Sequence, residues 1–212
     1  MELNDKQLMR LEAGREYRAM TMTARAADDE NEGMAVEGYA TTFNQPYTLY
    51  EEEGYKVMEQ IAPTAFSECD MSDVIMQYDH TGRVFARTKN GTLVLVVDSI
   101  GLKILAELGG TEHGRQLYQE IKGGYTDKMS FGFAVAEDQR TRTVDTASGV
   151  VTVIRTITKI KKLYDVSAVS IPANDMTFIS ARRFADGAIS EIKAERLERA
   201  NKLKKLKLLM EV

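Results

Sequence analysis

From Met34 to about Ile171 the chain runs in short apolar stretches, rich in β-branched and aromatic residues, that Gly, Asn and Asp interrupt about every ten residues. That texture predicts a β-rich domain. The candidate strands are MAVEGYATTF, DVIMQYD, GTLVLVVD, GLKILAEL, KMSFGFAVAED and the long VVTVIRTITKIKKLYDVSAVSI. The turn sequence DTASG just before the last of these predicts a hairpin. In GLKILAEL the residues Leu102, Ile104, Ala106 and Leu108 alternate with less apolar neighbours, the pattern of a half-buried strand.

Helical signals are fewer. Thr111 followed by Glu112 through Lys122 reads as a capped helix presenting Leu117 and Ile121, ended by Gly123 and Gly124. Pro63 to Glu68 predicts a second, short helix with Phe66 turned inward. From Ala188 to Val212 glycine and proline vanish, and Ile189, Ile192, Leu197, Ala200, Leu203, Leu206 and Met210 form an apolar stripe. The run Arg199 to Lys207 adds basic residues without an acid, which suits a helix C-terminus and an acidic partner. Residues 1–30 are polar, with Leu3, Leu8, Leu11, Tyr17 and Met20 only loosely spaced, and read as a flexible or helical arm. The expected division is therefore an arm over 1–30, a β-rich domain over 31–186 and an amphipathic tail helix over 187–212.

Composition narrows the function. A net charge of -4 offers no global positive field for a phosphate backbone, so nucleic acid is not an expected partner. One cysteine, Cys69, forbids an internal disulfide, and with two histidines it supplies too few soft ligands for a closed zinc site. Neither a metal nor a cofactor is expected. No apolar run approaches the roughly 20 residues of a membrane span, and MELNDKQLMRLEAGREY lacks the apolar centre of a signal peptide, so a soluble cytoplasmic protein is expected.

The residues able to carry chemistry are few. His80 follows the apolar run VIMQY and precedes the Thr81-Gly82-Arg83 turn, where a strand meets the surface; it is either a general base or a strand-end histidine bonded to its loop. His113 falls in the first turn of the predicted helix, a solvent-facing place. Ser130 stands between the large apolar residues of KMSFGF, either as a nucleophile or as the outward member of ordinary strand alternation. Asp165 is an acid embedded in a mostly apolar strand, to be buried with a partner or turned to solvent. Cys69 is flanked by Glu68 and Asp70, which raise a thiol pKa, and reads as inert.

Six short motifs occur in order: Asp79-His80, Gly82-Arg83-Val84, Gly101-Leu102, Gly114-Arg115, Ser130-Phe131-Gly132-Phe133, and Asp165-Val166-Ser167 with Pro172-Ala173-Asn174. In this the chain resembles, over roughly residues 36–183, the prohead (procapsid) maturation serine proteases of tailed bacteriophages. The resemblance implies an α+β, β-rich fold: a closed or partly closed β-barrel surrounded by helices, similar to the herpesvirus assembly proteases, with a C-terminal helix. It implies Ser130 as nucleophile, His80 as general base and Asp165 as the residue that orients it, where the family usually has glutamate; His113 is the only spare histidine for that third role. It further implies an endopeptidase that cleaves scaffold and major capsid protein, and itself, inside the assembling procapsid in the bacterial host cytoplasm, with homo-oligomerisation left open. The alternative is a non-enzymatic capsid assembly or scaffold protein on the same fold, in which Ser130 and His80 stand too far apart to bond.

Overall fold

The structure, a computed structural model, describes residues 9–10, 12–20, 25–26, 33–170 and 175–210. Eleven strands make two sheets. The larger contains β1 (Arg15–Met20), β4 (Tyr47–Glu52), β5 (Tyr55–Ile61), β6 (Ile75–Tyr78), β7 (Thr81–Arg87), β10 (Lys128–Val144) and β11 (Val151–Val169). The smaller contains β2 (Arg25–Ala26), β3 (Ala35–Thr42), β8 (Leu93–Val97) and β9 (Gly101–Glu107), in the order β2-β3-β9-β8. The helices that pack on them are α1 (Glu112–Lys122) and α2 (Asp175–Met210).

The organising element is the β10–β11 hairpin. Its turn closes where DTASG predicted, with the Asp145 carboxylate accepting from the Ala147 and Ser148 amides at 2.7 and 3.0 Å and Gly149 at φ 72°. β11 is long enough to serve two parallel partners in succession: Val151–Ile157 runs beside β5, and Asp165–Ala168 beside β6. The larger sheet thus reads β1-β10-β11-β5-β4, with β6 and then β7 added past the end of β5. Because both faces of its second half are covered, β11 carries an unbroken buried run from Asp165 to Val169 where a half-exposed strand would alternate.

The main core draws on both sheets and α1. Val36, Leu102, Ile104 and Ala106 of the small sheet meet Met76, Phe131, Phe133, Ile160 and Val166 of the large one, and Leu117, Tyr118 and Ile121 of α1 join them. At one corner Phe43, just past β3, bridges to Ile61 of β5, and no closed ring of strands is found among the described residues. The fold is α+β and strand-rich with a C-terminal helix. A second cluster packs Ala185, Ile189 and Ile192 of α2 on Tyr55, Val57, Val151 and Val153.

Several expectations are corrected. Within the arm, residues 15–20 are neither flexible nor helical but a strand, because β10 offers them an open edge for pairing and Tyr17 and Arg18 a buried place. The C-terminal helix begins at Asp175, not near residue 187, and runs continuously, so Ile189 and Ile192 belong to the folded body. Pro63–Glu68 forms consecutive turns in place of a helix, with Phe66 buried as expected. Helix α1 has its predicted bounds, and the Thr111 hydroxyl caps it by accepting from the Gly114 amide at 3.0 Å. The positions Leu3, Leu8 and Leu11, and Pro172-Ala173-Asn174, lie outside the described residues.

Candidate active site

One turn and two strands deliver the three candidate residues to one point. The β6–β7 connection is a two-residue loop, Tyr78 pairing with Thr81, in which both central residues have positive φ: Asp79 at 48° and His80 at 57°. This is the geometry of a type I′ turn, which Asn-Gly fills without strain and which costs other residues on the order of 1 kcal/mol or more each. The surroundings offset that cost. The Asp79 carboxylate accepts from the Ser170 amide at 3.0 Å and its hydroxyl at 2.8 Å, the Asp79 amide donates to Ala168 O at 3.0 Å, and Arg10 Nη1 donates to His80 O at 3.2 Å. The turn is thereby pinned to the end of β11, and the imidazole is aimed across it.

His80 is 1% exposed, and its two ring nitrogens are both engaged. Nε2 lies 2.5 Å from Ser130 Oγ, and Nδ1 is hydrogen-bonded to Asp165 Oδ1. Ser130 reaches this point from β10 and Asp165 from β11, two strands held in register with Ser130 opposite Ser167 and Gly132 opposite Asp165. Asp165 is fully buried, and burial by itself raises a carboxyl pKa. The interaction with the His80 imidazole, the Arg15 guanidinium on Oδ2 and the Ser167 hydroxyl on Oδ1 at 2.9 Å outweigh burial and hold Asp165 below the ordinary carboxylate range. A carboxylate so held accepts from Nδ1–H, which leaves Nε2 as the acceptor facing Ser130.

Gly132 is required by this packing. A Cβ there would stand 2.5 Å from Asp165 Oδ2 and 2.9 Å from the Tyr17 ring. The Tyr17 ring meets the imidazole edge to face, with centroids 4.7 Å apart, and closes the other side of His80. β1 brings Tyr17 there by pairing with β10, Ala19 opposite Ser130, and it brings the Arg18 carbonyl oxygen to 2.7 Å from Ser130 Oγ, a second acceptor for the hydroxyl proton that also faces His80 Nε2.

Of the alternatives left open by the sequence, Ser130 is completely buried and not an outward strand residue, and Asp165 is buried with partners and not turned to solvent. His113 is exposed on α1, where its Nδ1 lies 3.3 Å from Gln116 Oε1 of the next turn, and it takes no part in the cluster. Burial pushes the Cys69 thiol up to about 11, which leaves it protonated at neutral pH. Four contributing residues escaped the sequence reading: Arg15, Tyr17, Gly132 as a space-making residue, and Ser167. Only Ser167 and Gly132 sat in segments already singled out; Arg15 and Tyr17 lie in what looked like a polar arm.

A buried serine hydroxyl on the Nε2 of a histidine whose Nδ1 is bonded to a buried carboxylate is the arrangement that activates serine in hydrolases on unrelated folds. The sequence model of the caudovirus prohead serine proteases matches residues 20–190 of the 212. The chain belongs to that family. The family is one of phage-encoded serine proteases of the prohead, and its context is the capsid as it matures. Comparison with curated proteins and with solved structures finds no match. The matched stretch contains Ser130, His80 and Asp165 and begins at the last residue of β1. Among the described residues no helix is long and apolar enough to cross a membrane, and no three side chains of His, Cys, Asp or Glu are grouped to hold a metal ion.

Proposed function

We propose that this chain is the maturation endopeptidase of its phage, with Ser130 as nucleophile, His80 as general base and then general acid, and Asp165 as the group that fixes the imidazole tautomer and stabilises the imidazolium. The reading rests above all on one observation, the 2.5 Å contact between Ser130 Oγ and His80 Nε2. His80 takes the Ser130 proton as the oxygen attacks a substrate carbonyl, returns it to the leaving amine, and then activates the water that releases the acyl group. Arg15 and Ser167 act through Asp165, as positioning residues. Asp165 is one methylene shorter than the glutamate that the resemblance leads one to expect there. The parallel pairing of β11 with β6, Asp165 opposite Ile75 and Ala168 opposite Tyr78, carries the short side chain to the imidazole and supports aspartate in that role.

The substrates in this reading are scaffold and major capsid protein segments, and the chain itself, cut within the procapsid in the host cytoplasm. The Phe43–Ile61 corner supports a partly closed barrel as the catalytic body, residues 31–186 extended along α2 to Ile192. The competing scaffold-protein reading requires Ser130 and His80 to be separated, and their contact speaks against it. The test is to express the phage's capsid protein and scaffold with the unaltered chain and with Ser130→Ala. Truncated capsid protein with the first and full-length capsid protein with the second is the expected pair of results; identical capsid proteins in both would refute the assignment.

A further inference from the structure

Three features of β1 have no part in the triad but converge beside it. First, among the described residues β1 is the outermost strand of the larger sheet, and its one partner there is β10, the strand that carries Ser130. Without β1 the β10 edge would be open next to the nucleophile, and an open edge is the surface on which an extended peptide is captured by strand addition. Second, the Arg18 carbonyl oxygen lies 2.7 Å from Ser130 Oγ, an acceptor competing with His80 Nε2 for the one hydroxyl proton, so the peptide bond beside the nucleophile is Arg18–Ala19.

Third, the Arg18 side chain is fully buried in an acid-lined pocket. Its Nε and Nη2 reach the two carboxylate oxygens of Glu59 at 2.6 and 3.0 Å, a fork-to-carboxylate pair, and Nη2 also meets Glu16 at 2.5 Å. Glu59 is 0% exposed and comes from β5, in the body of the fold. Besides Arg18 it is held by the Tyr47 hydroxyl at 2.6 Å and by Arg155 Nη1 at 2.9 Å; Arg155 also bonds Glu16 of β1, but its Nε is anchored by Asp138 of β10 at 2.9 Å. The pocket therefore has its own support, and its carboxylate is oriented whether or not Arg18 fills it. The family match starts at residue 20, after Arg18 and Ala19, whereas Glu59, Tyr47 and Arg155 all fall within it.

We propose that the β10 edge is the substrate cleft, that β1 occupies it as a substrate strand, and that Glu59 is the specificity-determining residue, selecting arginine on the acyl side of the bond cut. The inference rests on Ser130 being the nucleophile. Applied to this chain it makes Arg18–Ala19 the bond presented. The Ser130 hydroxyl turns its proton from the Arg18 oxygen to His80 Nε2, and as Nε2 takes the proton Oγ adds to the Arg18 carbonyl carbon. The bond to the Ala19 nitrogen then breaks, and that nitrogen takes the proton and leaves as a new amino terminus. Water, deprotonated by His80, hydrolyses the ester to an Arg18 carboxylate and restores the Ser130 hydroxyl. Arginine is preferred to lysine because two of its donors meet both oxygens of Glu59, where an ammonium would meet them from a single nitrogen.

The test uses the full chain, with Ser130→Ala as control. Intact mass and amino-terminal sequencing follow the chain itself, and a series of internally quenched peptides on the frame Glu-Tyr-Arg-Ala-Met, with the arginine replaced by lysine, leucine or glutamate, measures kcat/KM in trans. A chain beginning at Ala19, absent from Ser130→Ala, and an arginine peptide cut at least ~100-fold faster than the leucine peptide are expected, since a site built to bond a polar side chain rejects one that lacks it. Glu59→Gln, checked for folding by its thermal transition, should lower the arginine-to-leucine ratio by about tenfold or more. Ser130-dependent cutting at other bonds with no preference for a basic residue overturns this inference and leaves the proteolytic reading standing. No Ser130-dependent hydrolysis of chain or peptides, even in Arg18→Asp, where the arm no longer matches Glu59, overturns both.

Discussion

At the residue scale the site is a set of short, mutually dependent contacts, and substitutions there separate chemistry from folding. Ser130→Ala removes one buried hydroxyl, and its Tm should stay within a few degrees of the parent while peptide hydrolysis falls by about 10⁶-fold; a mutant that still cuts would end the nucleophile assignment. Asp165→Asn keeps the shape but loses the negative charge that selects the Nδ1–H tautomer, and a loss on the order of 10⁴-fold is expected, against almost none for the exposed His113→Ala. Assaying the two side by side decides between them, and the reverse ranking would move the orienting role to His113. Gly132→Ala is the subtler case. The added methyl would crowd Asp165 Oδ2 at 2.5 Å, and a carboxylate enclosed by His80, Arg15 and Ser167 has no free direction in which to yield. Displacement of about an ångström should cost roughly 10²-fold in kcat, and unchanged kcat would show that the carboxylate has more room than the packing implies.

At the element scale, α2 is divided between two environments. Ala185, Ala188, Ile189 and Ile192 are buried against the β5–β11 face, whereas Leu197 and Leu203 are about 60% exposed. The apolar stripe read from the sequence is thus one pattern serving two ends, the first satisfied within the chain and the second left on the surface. A chain ending at Gly187 should lose several kcal/mol, since each buried isoleucine removed costs about 2–5 kcal/mol, and its Tm should fall sharply. A chain ending at Lys193 keeps both isoleucines and should melt close to the parent and still cut peptides. Equal melting temperatures for the two would show that α2 contributes nothing to the body. The same division explains why a boundary near residue 187 looked natural: glycine and proline stop there, but packing does not.

At the scale of the whole molecule, stability should depend on pH through the carboxylates that folding holds below their ordinary range. Asp165 and Glu16 are both lowered, burial opposing and neighbouring guanidinium and imidazole groups prevailing. A depressed carboxyl contributes stability that is fully present above its unfolded value of about 4 and is lost as pH falls through the lower folded value. The Tm should therefore hold between neutrality and about pH 5 and drop below pH 4, with a shallower drop in Asp165→Asn; parallel acid limbs would remove Asp165 from the account. Much of the molecule was legible beforehand. Alternation in GLKILAEL, the DTASG turn and the Thr111 cap are local patterns whose cause lies within a few residues, and β3, β6, β8, β9, the β10–β11 hairpin and α1 followed from them. The candidate residues His80, Ser130 and Asp165 were legible as types in order, from short motifs. What only the tertiary structure decided is whatever depends on a partner distant in sequence. Arg15–Met20 is a strand because β10 lies open beside it, not because of its own propensity. Arg18 is buried because Glu59, forty-one positions away, neutralises it. The polar text of the arm carried no trace of either, since a charged residue in sequence looks the same whether its counter-ion is water or a carboxylate brought in by another strand.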